Sequence, residues 1–334
     1  MAPEIARTMK ADRSPGILAT LCTPDATLDA VRREFPVAGP VDLSDPQADL
    51  SGAEHAEILL TVGRIGATRD AMARLPNLSM ICCCGSGFEG VDLAAARDRH
   101  IVVAHCPDAN ASAVAEFAIC LLLACVRQLP DLHRFVAGGN WRVARPIPFV
   151  GGRGLAGARV GVVGLGAIGR RISSRLVAME AQVGYTALRA KPESGLPFFS
   201  AALDLARWAD HLVVACRADE RNRGLVGRDV IDAIGPAGAI VNIARGSLID
   251  EAALIDALSE QRLGWAGLDV FADEPNVGES LRRLPNVILT PHVAAETQEA
   301  QHAVARMALE NVRSHVAGTA VPYPVRSIAE RTRH

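Results

Sequence analysis

A chain of 334 residues, 49% hydrophobic and 22% charged, holds enough apolar material for two globular domains. A net charge of −2 and an aromatic content of only 4% argue against nucleic acid or an anionic membrane surface as partner. The apolar run 117–126 is too short to span a bilayer, and the first fifteen residues hold no signal-peptide core. The expected place is the cytoplasm.

The elements alternate along the chain. GILATLC (16–22), EILLTVG (57–63), SMICCCGS (79–86) and IVVAH (101–105) read as buried strands. Helical stretches at 66–75 and 91–99 lie between the later ones. Near-continuous apolar strands separated by helices predict a parallel sheet covered on both faces. One long helix is expected from Ala111 to Ala137, closed by Gly138-Gly139 and apolar nearly all the way round. A second series follows: ARVGVVG (158–164), AQVGYTAL (181–188), DHLVVAC (210–216), AIVNIA (239–244), WAGLDV (265–270) and NVILT (286–290). Six strands match a full dinucleotide-binding sheet. A helix over 296–316 ends the pattern. The fold class is α/β, with two doubly wound parallel-sheet domains. Eight cysteines include the adjacent Cys82, Cys83 and Cys84 and no CxxC pair, so they read as reduced, buried and structural, with no metal site.

Residues 160–172, VGVVGLGAIGRRI, place Gly164, Gly166 and Gly169 as G-x-G-x-x-G after a strand and at the start of a helix. The first glycine permits the turn, the second admits a pyrophosphate, and the third allows close helix–strand packing. A carboxylate at the end of the next strand selects the ribose hydroxyls of NAD. That place holds Thr186, Ala187 and Leu188, followed by Arg189 and Lys191. Two cations suit a 2′-phosphate, which favours NADP(H) and leaves NAD(H) possible. Both could also be solvated surface charges.

Three later strands end on polar residues: Arg245-Gly246, then Asp269 and Glu274, then His292. Ligands of open α/β sheets bind beyond the carboxyl ends of the strands. Reducing a 2-keto acid needs a clamp for the carboxylate and a proton for the ketone oxygen. Arg245 offers a fork of N–H donors. His292 can give the proton, and a neighbouring carboxylate such as Glu274 favours the imidazolium. Gly246 would let the chain turn sharply after the arginine.

With these stretches the chain resembles the D-isomer-specific 2-hydroxyacid dehydrogenases, in the hydroxypyruvate/glyoxylate and hydroxyphenylpyruvate reductase branch. The matching segments are GSGFEGVDL (85–93), VAHCPDANASAVAEFAICLLLACVR (103–127), the glycine loop, VNIARGSLIDEAALIDAL (241–258), GLDVFADEP (267–275) and VILTPHVA (287–294), in the family's order. The resemblance implies that Arg245, Glu274 and His292 are the catalytic residues. It implies a role for Asp269 in orienting the nicotinamide carboxamide. The cofactor would lie along Ala167, Ile168, Arg189, Cys216, Arg217 and Ile243. Backbone amides around Ser86 and Gly87 would hold the substrate carboxylate.

It further implies a substrate domain of 1–107 plus 298–334, an NAD(P)-binding domain of 108–297, a cleft between them and a homodimer. The expected activity is hydride transfer from NADPH or NADH to a small 2-keto acid, giving the D-2-hydroxy acid. The alternative is an NAD(P)H-sensing protein without turnover. The chain departs from the family at Cys216-Arg217, where a proline is common, and at Ala187 to Ala190, where Ser-Arg-Ser is frequent. Ala295 stands where a serine often does. Arg64 stands where a small polar residue is common, and could meet a second acidic group on the substrate.

Overall fold

The computed structural model describes residues 16–43, 45, 47–50, 53–142 and 153–325. Two compact units result, one of residues 111–295 and one of the segments on either side.

The first unit is built on five parallel strands: β1 (Gly16–Thr20), β2 (Val37–Val41), β3 (Ala56–Thr61), β4 (Met80–Cys83) and β5 (Val102–Ala104). Their order is β2-β1-β3-β4-β5, the doubly wound arrangement whose switch point lies between β1 and β3. Alternate residues feed opposite faces, as the two-residue period of a strand requires. Leu59 and Ile81 pack on one side, while Ile58, Leu60, Met80 and Cys82 pack on the other. β2 and the helix Asp25–Arg32 were not expected from sequence. β2 is a half-exposed edge strand carrying Gly39 and Pro40, and an edge is where a sheet tolerates proline.

The second unit carries seven parallel strands: β6 (Arg159–Val163), β7 (Gln182–Thr186), β8 (Phe198–Phe199), β9 (His211–Val214), β10 (Ala239–Asn242), β11 (Trp265–Leu268) and β12 (Val287–Leu289). The order is β12-β11-β10-β9-β6-β7-β8. Six strands were expected, and β8 is a two-residue addition at the edge. Val162, Val213 and Val241 face one helical layer, and Leu212, Val214 and Ile240 face the other.

The long helix expected over 111–137 is two helices, Ala111–Val126 and Leu129–Ala137, bent by 64°. Pro130 explains the break. It has no N–H, and its ring clashes with the carbonyl four residues earlier, that of Val126. Gln128 takes a left-handed φ of 52°. The Val126 carbonyl instead accepts the Arg153 N–H at 3.1 Å. Among the described residues, no single helix is long and apolar enough to cross a membrane.

The cysteines divide. Cys82, Cys83, Cys84, Cys106 and Cys125 are buried, Cys22 and Cys216 are partly so, and Cys120 is exposed. The expectation that all are buried fails at Cys120 because it lies on the outer side of the helix Ala111–Val126. Burial pushes the Cys125 thiol up to about 12. No cluster that could hold a metal ion is found among the described residues.

Ile240, with 0% exposure in central strand β10, tests the packing. Ile240→Ala is expected to lower unfolding free energy by about 2–5 kcal/mol, read by denaturant titration.

Candidate active site

The glycine loop joins β6 to the helix Ala167–Ala178. Gly164 has φ +98°, and a Cβ there would lie 2.5 Å from Cys216 Cα. A Cβ on Gly169 would lie 1.9 Å from the Gly164 carbonyl oxygen. The side of Gly166 is open, with nothing within 4 Å of a Cβ built there. The three positions therefore serve turn, close packing and open approach. The open face at a helix start, with its unsatisfied N–H groups, fits a pyrophosphate.

At the end of β7, Leu188 is 95% exposed and Arg189 is exposed as well. Lys191 behaves differently. Its Nζ donates to the Leu165 carbonyl at 2.7 Å, which lays the ammonium against the glycine loop. Burial, with the Arg170 charge beside it, holds its pKa below the usual lysine range. Cys216, at the end of β9, is half-buried, and burial pushes its thiol up to about 11. Ile243 is buried just beyond β10.

Arg245 follows β10 and opens the short turn Gly246–Leu248. Asn242, 1% exposed, shapes this exit. Its amide donates to the Arg245 carbonyl at 2.9 Å and accepts the Ala244 N–H at 3.0 Å. Gly246 was expected to serve a sharp turn, but it is not among the positive-φ glycines. What requires glycine is proximity, since a Cβ there would lie 2.0 Å from the Phe271 carbonyl carbon. Arg245 is thereby set against the segment that carries Glu274.

Glu274 accepts the Phe271 N–H through Oε1 at 3.1 Å and His292 Nδ1 through Oε2 at 2.7 Å. Burial raises its pKa, but the hydrogen bonds from His292 and Phe271 and the charges of His292 and Arg245 outweigh that and hold it below the usual carboxylate range. The carboxylate can only accept, so His292 Nδ1 donates to it.

His292 sits at φ 55°, a left-handed conformation uncommon outside glycine. The resemblance assigns Asp269 to the nicotinamide carboxamide, and in the structure its carboxylate has a further task. It is 0% exposed and accepts from Thr290 Oγ1 at 2.6 Å, Val293 N at 3.0 Å and Ala294 N at 2.9 Å. These three bonds staple the turn that presents His292. Sequence reading missed Thr290 and Asn242 and this use of Asp269, although a polar residue directly after an apolar strand was the available signal.

In the first unit, Arg64 and the Ser86-Gly87 pair lie on adjacent loops at the carboxyl edge. Gly90 N–H donates to the Gly63 carbonyl at 2.7 Å. A Cβ on Gly63 would meet Gly87 at 2.3 Å, and one on Gly66 would meet Gly90 at 2.0 Å. Arg64 is exposed, with Nη2 3.5 Å from Cys22 Sγ.

The family model for the D-isomer-specific 2-hydroxyacid dehydrogenase NAD-binding domain matches residues 119–294. The chain belongs to this family. It is 38% identical over 270 residues to a glyoxylate/hydroxypyruvate reductase A of Arabidopsis thaliana, covering 80% of this chain and 85% of the relative. It is 35% identical over 281 residues to a hydroxyphenylpyruvate reductase of Plectranthus scutellarioides, covering 84% and 89%. Among solved structures it is similar to an NADPH-dependent glyoxylate/hydroxypyruvate reductase from Sinorhizobium meliloti in complex with NADP and malonate, at 30% identity and TM-score 0.86, covering 95% and 100%. The chain is thus an oxidoreductase of the D-2-hydroxyacid dehydrogenases, in their reductase branch.

The contact at Gly246 is open to test. Gly246→Ala is expected to push the Arg245 turn off Phe271 and lower kcat/KM roughly a hundredfold, with circular dichroism showing the secondary structure retained.

Proposed function

We propose that the protein reduces a small 2-keto acid, of the glyoxylate or hydroxypyruvate kind, to the D-2-hydroxy acid, with NADPH preferred over NADH. The observation that carries this is the 2.7 Å bond between His292 Nδ1 and Glu274 Oε2, beside Arg245. The reduced nicotinamide, when bound, supplies the hydride. Arg245 holds the substrate carboxylate and polarises the ketone through its forked donors. His292 gives the Nε2 proton to the carbonyl oxygen as that oxygen becomes an alkoxide. Glu274 keeps the ring oriented and stabilises its charge.

Gly164, Gly166, Ala167, Ile168 and Gly169 would cradle the pyrophosphate, with Cys216, Arg217 and Ile243 along the cofactor. Lys191, aided by Arg189, would meet the ribose phosphate. Ser86 and Gly87 would bind the substrate carboxylate, and Arg64 a second acidic group. A homodimer is proposed through the second unit at the helical segment 111–137, where Leu129 and Val136 are each more than half exposed. Sensing without turnover is not favoured, because the arginine, the acid and the histidine are all present.

The test is oxidation of NADPH and of NADH at matched concentrations with glyoxylate, hydroxypyruvate, phenylpyruvate and 4-hydroxyphenylpyruvate. Faster turnover with NADPH on one acid is expected, and binding of nucleotide without turnover on any of them would refute the proposal. Lys191→Ala is expected to raise KM for NADPH about tenfold and leave that for NADH nearly unchanged.

The pH profile has a defined sign. Glu274 titrates below its ordinary value of 4.5, so its carboxylate charge is present above that value and is lost as pH falls through the lowered pKa. Glu274→Gln replaces the carboxylate that accepts from His292 Nδ1 with a neutral amide. It is expected to lower kcat/KM roughly ten- to a hundredfold and to remove the fall in activity that accompanies protonation of Glu274 at acid pH.

A further inference from the structure

The loop after β4 carries Ser86 and Gly87, and side chains outside it bond to Ser86. His105 follows β5. Its Nδ1 lies 3.0 Å from the Ser86 carbonyl oxygen. A carbonyl only accepts, so Nδ1 carries the proton and donates. The imidazole also meets the Phe88 ring edge-on, with centroids 5.2 Å apart and planes at 80°. Next to it, Cys106 N–H donates to the Gly85 carbonyl at 2.8 Å. The Ser86 hydroxyl lies 2.9 Å from Asn110 Oδ1 and 3.2 Å from the Cys106 carbonyl.

The backbone of His105 is held in turn from the C-terminal side. Its N–H donates to the Tyr323 carbonyl at 3.1 Å. Its own carbonyl accepts from Asn311 Nδ2 at 3.1 Å, while Asn311 Oδ1 accepts the Tyr323 N–H at 3.2 Å. Asn311 is 0% exposed. Val325 N–H closes the strip by donating to Val103 at 2.7 Å, and Pro324 bridges Ala104 antiparallel.

We infer that His105 is a positioning residue for the substrate-carboxylate loop, and that the segment Tyr323–Val325 holds His105 in register. The inference rests on the proposed role of Ser86 and Gly87. The argument is one of peptide geometry. The Ser86 carbonyl and the Gly87 N–H belong to the same planar trans unit and point in opposite directions. A donor fixed on the oxygen therefore fixes the aim of the N–H. Gly87 has no side chain to supply that restraint, and glycine has the widest choice of backbone conformation. The His105 bond removes that freedom before substrate arrives, which is the condition for a backbone amide to bind an anion without reorganising.

The experiment compares wild type, His105→Ala and His105→Asn by steady-state kinetics with glyoxylate and hydroxypyruvate, and by hydrogen exchange of the 85–88 amides. Asparagine places an N–H donor on the same side-chain atom position as Nδ1. For His105→Ala, keto-acid KM is expected to rise about tenfold, with kcat within about threefold and NADPH KM unchanged. His105→Asn is expected to recover most of the loss, and exchange to rise at 85–88 in the alanine variant alone. An unmoved keto-acid KM overturns the inference. So does an asparagine variant no better than alanine, or a loss shared equally by NADPH KM with exchange raised throughout the chain. If wild type reduces no 2-keto acid, the functional reading has failed, and exchange decides alone. A rise confined to 85–88 then sustains the clamp, and none refutes it.

Discussion

One buried carboxylate organises the carboxyl edge of the second sheet. Asp269 leaves β11 into a site with no exposure, where an unsatisfied carboxylate would be costly. Its donors are the hydroxyl of Thr290 and the amides of Val293 and Ala294. Satisfying that group fixes the turn, and the turn holds His292 at a positive φ that it would not keep unaided. From there the contacts run in sequence. His292 donates to Glu274, Glu274 accepts the Phe271 amide, and the Phe271 carbonyl closes on Gly246, which carries Arg245. Residues from three strands reach ångström register through a buried carboxylate at one end and a missing side chain at the other.

The parallel sheets explain why this register is possible. All strands of each unit end at the same edge, so polar residues placed just beyond the apolar runs gather there without interrupting the core. β10 shows the arrangement plainly. Ala239, Ile240 and Val241 are buried, Asn242 spends its amide on shaping the exit, and Arg245 emerges partly buried. The arginine belongs to the edge, and its buried strand anchors it.

Much of this was legible in the sequence, and the missing parts have physical causes. The buried strands, the glycine loop and the polar residues at strand ends follow from period, burial and spacing. β2 was hidden because an edge strand with Gly39 and Pro40 has neither the apolar run nor the alternation of a central one. β8 is too short to show a period. The break at Gln128 was announced by Pro130, but the apolar run before it masked the signal. The role of Gly246 could not be read, because a glycine required by a distant backbone looks the same as one required by its own φ. Lys191 was chosen for its charge, yet its attachment to Leu165 is a contact across the fold and has no local signature. Asp269, likewise, gave no sign of its partners in the next strand's turn.

The glycines of the first unit have a consequence for how such a scaffold can diversify. The loops bearing Arg64 and Ser86 meet backbone to backbone, and a Cβ at Gly63, Gly66 or Gly90 would lie within 3.0 Å of the facing backbone, so the seam is closed to larger residues at those three positions. The side chains that project from it are Arg64 and Ile65 on one loop and Glu89 on the other, while Phe88 turns inward to the core. A change at this edge of the unit is therefore a matter of exchanging a few tips on a fixed frame, and an engineer who lengthened either loop would lose that frame.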